Sequence, residues 1–140
     1  PQDINMSQTP NASDTAAAFV RDGGTLRLLA ECADGIGSTT FLPYFAMGGK
    51  EAVFAHLRSE YRGNGGTALA MMAKTERIRI VLVTALPEEL CRLIGVDRVA
   101  TEDFACFRGA VSRDMAVIAN ASMLIRAADK CHDVPPVAPL

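Results

Sequence analysis

Residues 23–38 are the stretch that most constrains the fold of this chain. The glycine pair Gly23-Gly24 is followed by a mostly apolar run over 25–32 and then by the loop Asp34-Gly35-Ile36-Gly37-Ser38. The pair predicts the end of a helix, the run predicts a buried strand, and the glycine-spaced loop can bring backbone amides close to a ligand. In open α/β sheets ligands gather beyond the carboxyl ends of the strands, where this loop would lie. The stretch therefore indicates a fold class and a place to look for a site.

Predicted helices and strands alternate along the rest of the chain. Helical spacing and helix-start signals predict helices over 11–22, 50–61, 67–74, 87–95 and 101–109. Runs rich in β-branched and other apolar residues predict strands over 25–32, 78–83, 96–100 and 115–119. Such alternation is typical of the α/β class, so we predict a three-layer α/β/α sandwich with a mainly parallel sheet.

The chain length indicates one domain followed by a short tail. A chain of 140 residues can bury one sizeable core, and we expect residues 1–125 to form a single α/β domain. Residues 126–140 include Pro135-Pro136-Val137-Ala138-Pro139, which is typical of an extended terminus. The chain begins at Pro1 rather than at a methionine. Either its N-terminus is processed or it is part of a longer polypeptide.

Apolar stripes predict the buried faces of the helices. The segment 41–45 is dense in aromatic residues that can seal a short helix onto the core. The first strand is apolar enough that we expect helices to cover both of its faces. The stripes predict these buried residues: Phe19, Val20, Val53, Phe54, Leu57, Tyr61, Leu69, Met71, Met72, Leu90, Leu93 and Ile94.

The composition excludes several classes of partner. Hydrophobic residues make up 49% of the chain and charged residues 21%, which argues against disorder. The formal charge of −2 and the absence of a basic cluster predict no nucleic-acid partner. No apolar run is long enough to span a bilayer, and the first residues lack the features of a signal peptide. We therefore expect a cytoplasmic protein without a membrane partner.

The cysteines predict no metal site. Metal ligands usually cluster in pairs, whereas Cys32, Cys91, Cys106 and Cys131 are widely separated. We predict reduced thiols that pack as small hydrophobic residues. Cys32 is singled out because it lies at the end of a predicted strand, beside the glycine loop.

The glycine loop matches no common nucleotide-binding motif. It lacks the third glycine of the dinucleotide fingerprint, and no Gly-Lys-Ser/Thr follows it. Its backbone amides, at Gly35, Gly37 and Ser38, together with the Ser38 and Thr39 hydroxyls, could hold a carboxylate or phosphate. A purely structural turn is the open alternative.

No catalytic residue is predicted. Ser38 lacks the flanking glycines of a serine nucleophile, and neither His56 nor His132 has an evident orienting carboxylate. Glu31 and Asp34 flank the loop, but acids in polar turns are usually solvated or capping residues.

The stretch from Gly23-Gly24-Thr25 to Glu31-Cys32-Ala33-Asp34-Gly35-Ile36-Gly37-Ser38 resembles the C-terminal domain of the nickel-pincer lactate racemase family. Further similar pieces follow in the family's order over residues 3–122. They are Gly65-Gly66-Thr67-Ala68 at a helix start, residues 80–90 as a strand and helix, and residues 115–122 as a last strand and turn.

The resemblance implies a function for a longer protein. Family members interconvert the stereoisomers of 2-hydroxy acids by moving a hydride to a nickel-bearing pyridinium cofactor and back. The nickel-pincer nucleotide and the acid/base histidines belong to the family's N-terminal domain. The expected partners are therefore that N-terminal domain and a small 2-hydroxy acid. By this resemblance the present chain holds no cofactor or metal and is inactive alone.

The resemblance also implies substrate contacts. In the family a Tyr-Gln-x-x-Lys motif before the first helix of this domain holds the substrate, and the matching run here is Ser7-Gln8-Thr9-Pro10-Asn11. Gln8 keeps an amide that can donate to a carboxylate and accept from a hydroxyl. Asn11 replaces the lysine, which forfeits a charge-assisted hydrogen bond of about 1.5–3 kcal/mol. A hydroxy acid other than lactate therefore fits better.

An alternative function follows from the same departures. Ser7 and Asn11 replace the motif's tyrosine and lysine, and Gly66 and Thr67 stand where the family has a histidine and a lysine at a later helix start. These replacements favour a catalytically dead ligand-binding or scaffold domain.

Overall fold

A computed structural model describes residues 9–38, 40–103 and 115–118 of the chain. The elements, in chain order, are helix α1 (Thr9–Ala17), strand β1 (Thr25–Leu29), a first 3-10 helix (Leu42–Ala46), helix α2 (Lys50–Ser59), helix α3 (Gly65–Arg77), strand β2 (Arg79–Val83), helix α4 (Glu88–Leu93), strand β3 (Asp97–Val99) and a second 3-10 helix (Thr101–Asp103). Helices alternate with strands as predicted, and the α/β class is confirmed.

The three strands form a parallel sheet in the order β1-β2-β3. Leu26 of β1 lies opposite Ile80 of β2, and Leu28 lies opposite Leu82. Three of these residues are buried, and Leu28 packs against them in a core that also takes Met71 from α3. Helix α1 contacts β1, and α3 contacts both β2 and α1. The two helices therefore cover this face of the sheet.

The opposite face of β1 is more open than predicted. Thr25, Arg27 and Leu29 alternate with the inward residues and are exposed, Leu29 by 55%. Their neighbours on β2, Val81 and Val83, are nevertheless buried. The expectation that helices cover both faces of the first strand is wrong for β1, whose polar Thr25 and Arg27 share that outer face with Leu29. The three-layer arrangement stays a prediction.

The aromatic segment packs as predicted. Phe41 is completely buried, and its ring meets that of Phe45 edge to face at a centroid distance of 5.0 Å. Tyr44 is buried as well, and its hydroxyl donates to the carbonyl oxygen of Arg62 at 2.6 Å. The segment therefore joins the core to the connection between α2 and α3.

Helix α1 ends earlier than predicted, and a side chain of α3 stabilises this early end by binding one carbonyl at the end of the helix and one just beyond it. The guanidinium of Arg77 donates to the backbone oxygen of Ala17 at 2.6 Å and to that of Val20 at 2.7 Å. The Ala17 carbonyl also accepts from the Val20 N–H at 3.1 Å, so Arg77 reinforces a turn that closes the helix end. Phe19 lies beyond the helix and is 47% exposed, so its predicted burial is wrong.

Three further apolar residues lie on the surface instead of in the core. Phe54 and Tyr61 are exposed, because the buried stripe of α2 consists of Val53 and Leu57, and Tyr61 follows the end of that helix. Leu93 is exposed in the short helix α4, where Cys91 is the buried residue. The predicted burial of Met71, Met72 and Ile94 is confirmed.

The C-terminal predictions are tested only in part. Residues 115–118 do not form the predicted strand. Of the predicted helix over 101–109, a 3-10 helix is present at Thr101–Asp103, and the remainder lies outside the described residues, as does the predicted tail. Within the described ranges, no helix is both long and apolar enough to cross a bilayer.

Candidate functional site

The loop after β1 turns sharply at the carboxyl edge of the sheet. Cys32 has a φ of 53°, in the left-handed region, so the strand cannot continue to residue 32 as predicted. The N–H of Gly35 then donates to the carbonyl of Cys32 at 2.8 Å. Gly35 and Gly37 have φ values of 71° and 82°, which glycine adopts without steric strain. The turn itself therefore accounts for the glycine spacing.

The predicted anion-binding residues lie together in this loop. The hydroxyl of Ser38 lies 2.9 Å from that of Thr40 and accepts from the Thr40 N–H at 3.3 Å. These two contacts join Ser38 to Thr40, which precedes the first 3-10 helix. Anion binding by Gly35, Gly37 and Ser38 stays a prediction.

A buried threonine fixes the base of the loop. The Thr84 hydroxyl, after β2, donates to the carbonyl of Glu31 at 3.0 Å and accepts from the N–H of Leu86 at 3.2 Å. The N–H of Ala85 donates to the same Glu31 carbonyl at 2.9 Å. Two loops at the carboxyl edge are thereby tied together. Sequence reasoning missed Thr84 because its partner lies far away along the chain.

Beside the loop is a cavity of about 290 Å³. Its lining combines apolar surface with a few polar groups: Thr40, Pro43, Tyr44, Met47, Arg62 and Gly63. The first four lie in or beside the first 3-10 helix, and the last two belong to the connection between α2 and α3. Asn64 donates to the Thr40 hydroxyl at 3.4 Å and so links the two walls.

Two glycines allow these walls to approach each other. A Cβ on Gly63 would lie 2.9 Å from the hydroxyl oxygen of Thr40, and one on Gly65 would lie 2.9 Å from the Tyr44 ring. Real Cβ atoms do not come so close to neighbours. The break at residues 63–66, visible in the sequence, is therefore a site of close packing.

Helices α1 and α3 run in the same direction, with their first residues toward the loop-bearing edge of the sheet. α3 packs against β2 and joins it through Ile78 alone, so the two run in opposite directions. Ser13 of α1 binds Lys74 of α3, and Ala17, one turn later, binds Arg77. The two helices are therefore parallel, with their N-termini at the same side. The start of α1 thus faces the carboxyl edge of the sheet, where the loop lies.

The predicted substrate contacts lie at this start of α1 or just before it. Asn11 belongs to α1, and its side chain lies outside the description. Ser7 and Gln8 precede the described residues. The contacts assigned to these three residues stay predictions.

A buried lysine holds α1 on α3. Lys74 is 8% exposed, and its Nζ donates to the Ser13 hydroxyl at 2.7 Å and to the Asp14 carboxylate. Burial lowers the pKa of Lys74 below its ordinary 10.5, and the hydrogen bond and charge of Asp14 oppose that shift. A serine beside a lysine can form a nucleophile and base pair. Ser13 is only 1% exposed, so substrate has no access to it and the cluster is structural.

The two described cysteines are packed as predicted. Cys32 and Cys91 are buried and reduced. Burial raises the pKa of the Cys91 thiol, which Arg98 partly opposes, so Cys91 is not activated as a nucleophile. His56 is half-buried with its ring 6.2 Å from that of Tyr44. In the described part of the chain, no three His, Cys, Asp or Glu residues lie close enough together to hold a metal ion.

Comparisons with known proteins support the fold. No model of a known protein family matches the chain, and no curated protein matches it either. The chain is similar in structure to the lactate racemase apoprotein from Thermoanaerobacterium thermosaccharolyticum, with a TM-score of 0.64 and 23% identity over 71% of this chain. It covers 25% of that chain, so it spans about a quarter of the length of that racemase.

Proposed function

We propose that this chain is the C-terminal, substrate-cleft domain of a nickel-pincer-cofactor-dependent 2-hydroxyacid racemase or epimerase. The observation that carries the proposal is the fold shared with a lactate racemase over 71% of the chain. The glycine pair, strand and glycine loop at residues 23–38, which resemble that family, support it further. In open α/β folds the edge that carries this loop is where ligands bind.

In this proposal the residues before and in the first turn of α1 face the substrate. Gln8 donates from its amide to the substrate carboxylate or accepts from its hydroxyl. Ser7 and Asn11 contribute smaller polar groups, and the loop of Gly35, Gly37 and Ser38 forms a wall of the cleft. The substrate is a small 2-hydroxy acid whose carboxylate is held without the family's lysine.

The cofactor belongs to another domain in this proposal. The described residues offer no group of metal ligands, so they do not fit a resident nickel site. The nickel-pincer nucleotide would be bound by the N-terminal domain of the full-length protein, where it would accept and return the hydride. The chain alone, mixed with cofactor and 2-hydroxy acids, should show no racemisation by chiral chromatography.

A second function is favoured by the motif departures. Ser7 and Asn11 remove an aromatic ring and a cation from the substrate motif. A domain that keeps the fold and binds a ligand, or serves in assembly, would tolerate both changes. Absence of racemisation by the full-length protein, with ligand binding retained, would favour this second function.

Replacement of Gln8 tests the proposed contact. In the full-length protein, Gln8→Ala removes a hydrogen bond to a charged group, about 1.5–3 kcal/mol, so kcat/KM should fall by roughly 10- to 100-fold. The measurement is the rate of interconversion of the two enantiomers. Gln2→Ala, which removes the same side chain outside the motif, is the control and should leave the rate unchanged. Equal rates for Gln8→Ala and wild type would remove Gln8 from the site.

A further inference from the structure

The cavity beside the glycine loop has a rigid wall. The Tyr44 ring is buried, packs against Gly65 at the start of α3, and is anchored by its hydroxyl bond to the Arg62 carbonyl at 2.6 Å. Because that bond also holds the backbone of Arg62, the two sides of the cavity keep their spacing. The space is therefore formed before any ligand arrives, which lowers the entropic cost of binding.

Apolar groups form most of the interior. Pro43, Tyr44 and Met47 are among the lining residues, and Met47 is 37% exposed. Methionine adapts its shape to irregular apolar partners and makes favourable contacts with aromatic rings. At about 290 Å³ the cavity is near the lower end of the range for ligand pockets. A methyl group is too small to fill this volume, so a larger apolar group is needed.

An exposed arginine, Arg62, is one of the residues that line this apolar space. Arg62 contacts Glu60 at 2.6 Å, and the Arg62 side chain is 78% exposed. Such surface ion pairs contribute little stability, so a ligand carboxylate can replace Glu60 at small cost. Arginine binds carboxylates through two parallel hydrogen bonds. Thr40 lines the other side of the cavity and carries a hydroxyl, the kind of group that binds a ligand hydroxyl.

We propose that this cavity binds the side chain of a 2-hydroxy acid with an aromatic or branched apolar substituent, while Arg62 binds its carboxylate. Only the hydroxy-acid part of this inference rests on the proposed function. The family's lysine places a cation near the substrate carboxylate, and in this chain Asn11 replaces that lysine. In this proposal Arg62 supplies the cation instead. Lactate, with its single methyl, would leave the cavity largely empty.

Ligand binding to the 140-residue chain tests the inference. The probes are 3-phenyllactate, lactate and 3-phenylpropionate, titrated by calorimetry and by amide NMR. We expect 3-phenyllactate to bind at least tenfold more tightly than lactate and to shift the amide signals of Thr40, Tyr44 and Gly63. Arg62→Gln should weaken binding about tenfold or more. Met47→Glu, which places a like charge in the apolar wall, should weaken it as well.

Two control variants test whether the loss of an arginine or the gain of a negative charge weakens binding when it occurs away from the cavity. Arg58→Gln removes an exposed arginine of α2 that does not line the cavity, and Leu93→Glu adds the same charge at an exposed apolar residue of α4. Both should bind 3-phenyllactate like wild type. NMR spectra of all variants should retain the dispersion of the folded protein, because the replaced side chains are exposed.

The outcomes distinguish failure of the inference from failure of the proposed function. Absence of binding, or equal affinity of wild type and Arg62→Gln, overturns the cavity as a site. Equal binding of 3-phenylpropionate and 3-phenyllactate upholds the cavity but contradicts its use for hydroxy acids. Hydroxy-acid binding that is sensitive to Gln8→Ala and insensitive to Arg62→Gln upholds the proposed function and overturns the cavity.

Discussion

At the scale of single residues, Lys74 shows how a charge is kept inside this fold. Its ammonium is removed from water and relies on the Ser13 hydroxyl and the Asp14 carboxylate. When one partner of a buried ion pair is removed, the remaining charge is left uncompensated. Replacing the charged residue by an apolar one of similar length avoids that penalty. Lys74 and Asp14 should therefore respond differently to substitution.

Lys74→Met should change how stability depends on pH. Because burial lowers the pKa of Lys74 in the folded protein, the unfolded chain binds more protons between that lowered pKa and the ordinary 10.5. The free energy of unfolding of wild type should therefore rise with pH across this window. Lys74→Met lacks the group and should lack this rise. Urea unfolding of both proteins, from neutral pH to about 10.5, measures the difference.

Asp14→Ala provides the comparison for this prediction. It leaves the Lys74 ammonium buried, so at neutral pH it should destabilise the protein by about 1–3 kcal/mol and by more than Lys74→Met. Glu76→Ala is the control, because it removes the partner of the more exposed Lys50 and should cost less than about 1 kcal/mol. A pH-independent difference between wild type and Lys74→Met would contradict the argument.

At the scale of elements, the start of α3 decides how the cavity walls meet. Gly65 and Gly66 are neighbours in the same helix but have different surroundings. A Cβ on Gly65 would meet Leu57 at 2.4 Å and the buried Tyr44 ring. A Cβ on Gly66 would meet the hydroxyl of Tyr61 at 2.8 Å, and Tyr61 is 73% exposed and able to move aside.

The same substitution should therefore have opposite effects at the two positions. Gly65→Ala should destabilise the protein by about 1–3 kcal/mol through overpacking. Gly66→Ala should stabilise it by up to about 1 kcal/mol, because alanine loses less backbone entropy on forming a helix. Urea unfolding measures both changes. Stabilisation by both substitutions would contradict the close packing of Gly65 against Tyr44.

Elements that local composition determines were predictable from the sequence, whereas elements that depend on contacts between residues far apart in the sequence were not. The β-branched run of β2 and the aromatic residues around Tyr44 were predictable because local composition determines them. The early end of α1 was not, since it depends on Arg77, which is remote in the sequence. The cavity was missed for the same reason, because its two walls are separated by α2 in the sequence and are joined by contacts such as that of Asn64 with Thr40. The glycine loop was located correctly, but its function depends on partners that local spacing does not reveal.

At the scale of the whole molecule, the two faces of the sheet differ in how far the side chains of β1 are buried. Leu82 lies in the central strand and is completely buried beside Leu28. Leu29 lies next along β1, opposite Val83, and points to the other side with 55% exposure. A three-layer sandwich would require that outer side to be covered as well, so the energetic contribution of Leu29 tests the architecture.

Leu82→Ala should destabilise the protein by about 2–5 kcal/mol, because it removes a packed side chain and leaves a cavity between β2 and the helices. Leu29→Ala should change the free energy of unfolding by less than about 0.5 kcal/mol, because much of that side chain is already in water. Urea unfolding at one pH, with the same m-value for each variant, makes the two numbers comparable. A cost for Leu29→Ala close to that for Leu82→Ala would mean that a further layer packs on the outer face of β1. The predicted sandwich would then hold at this edge of the sheet.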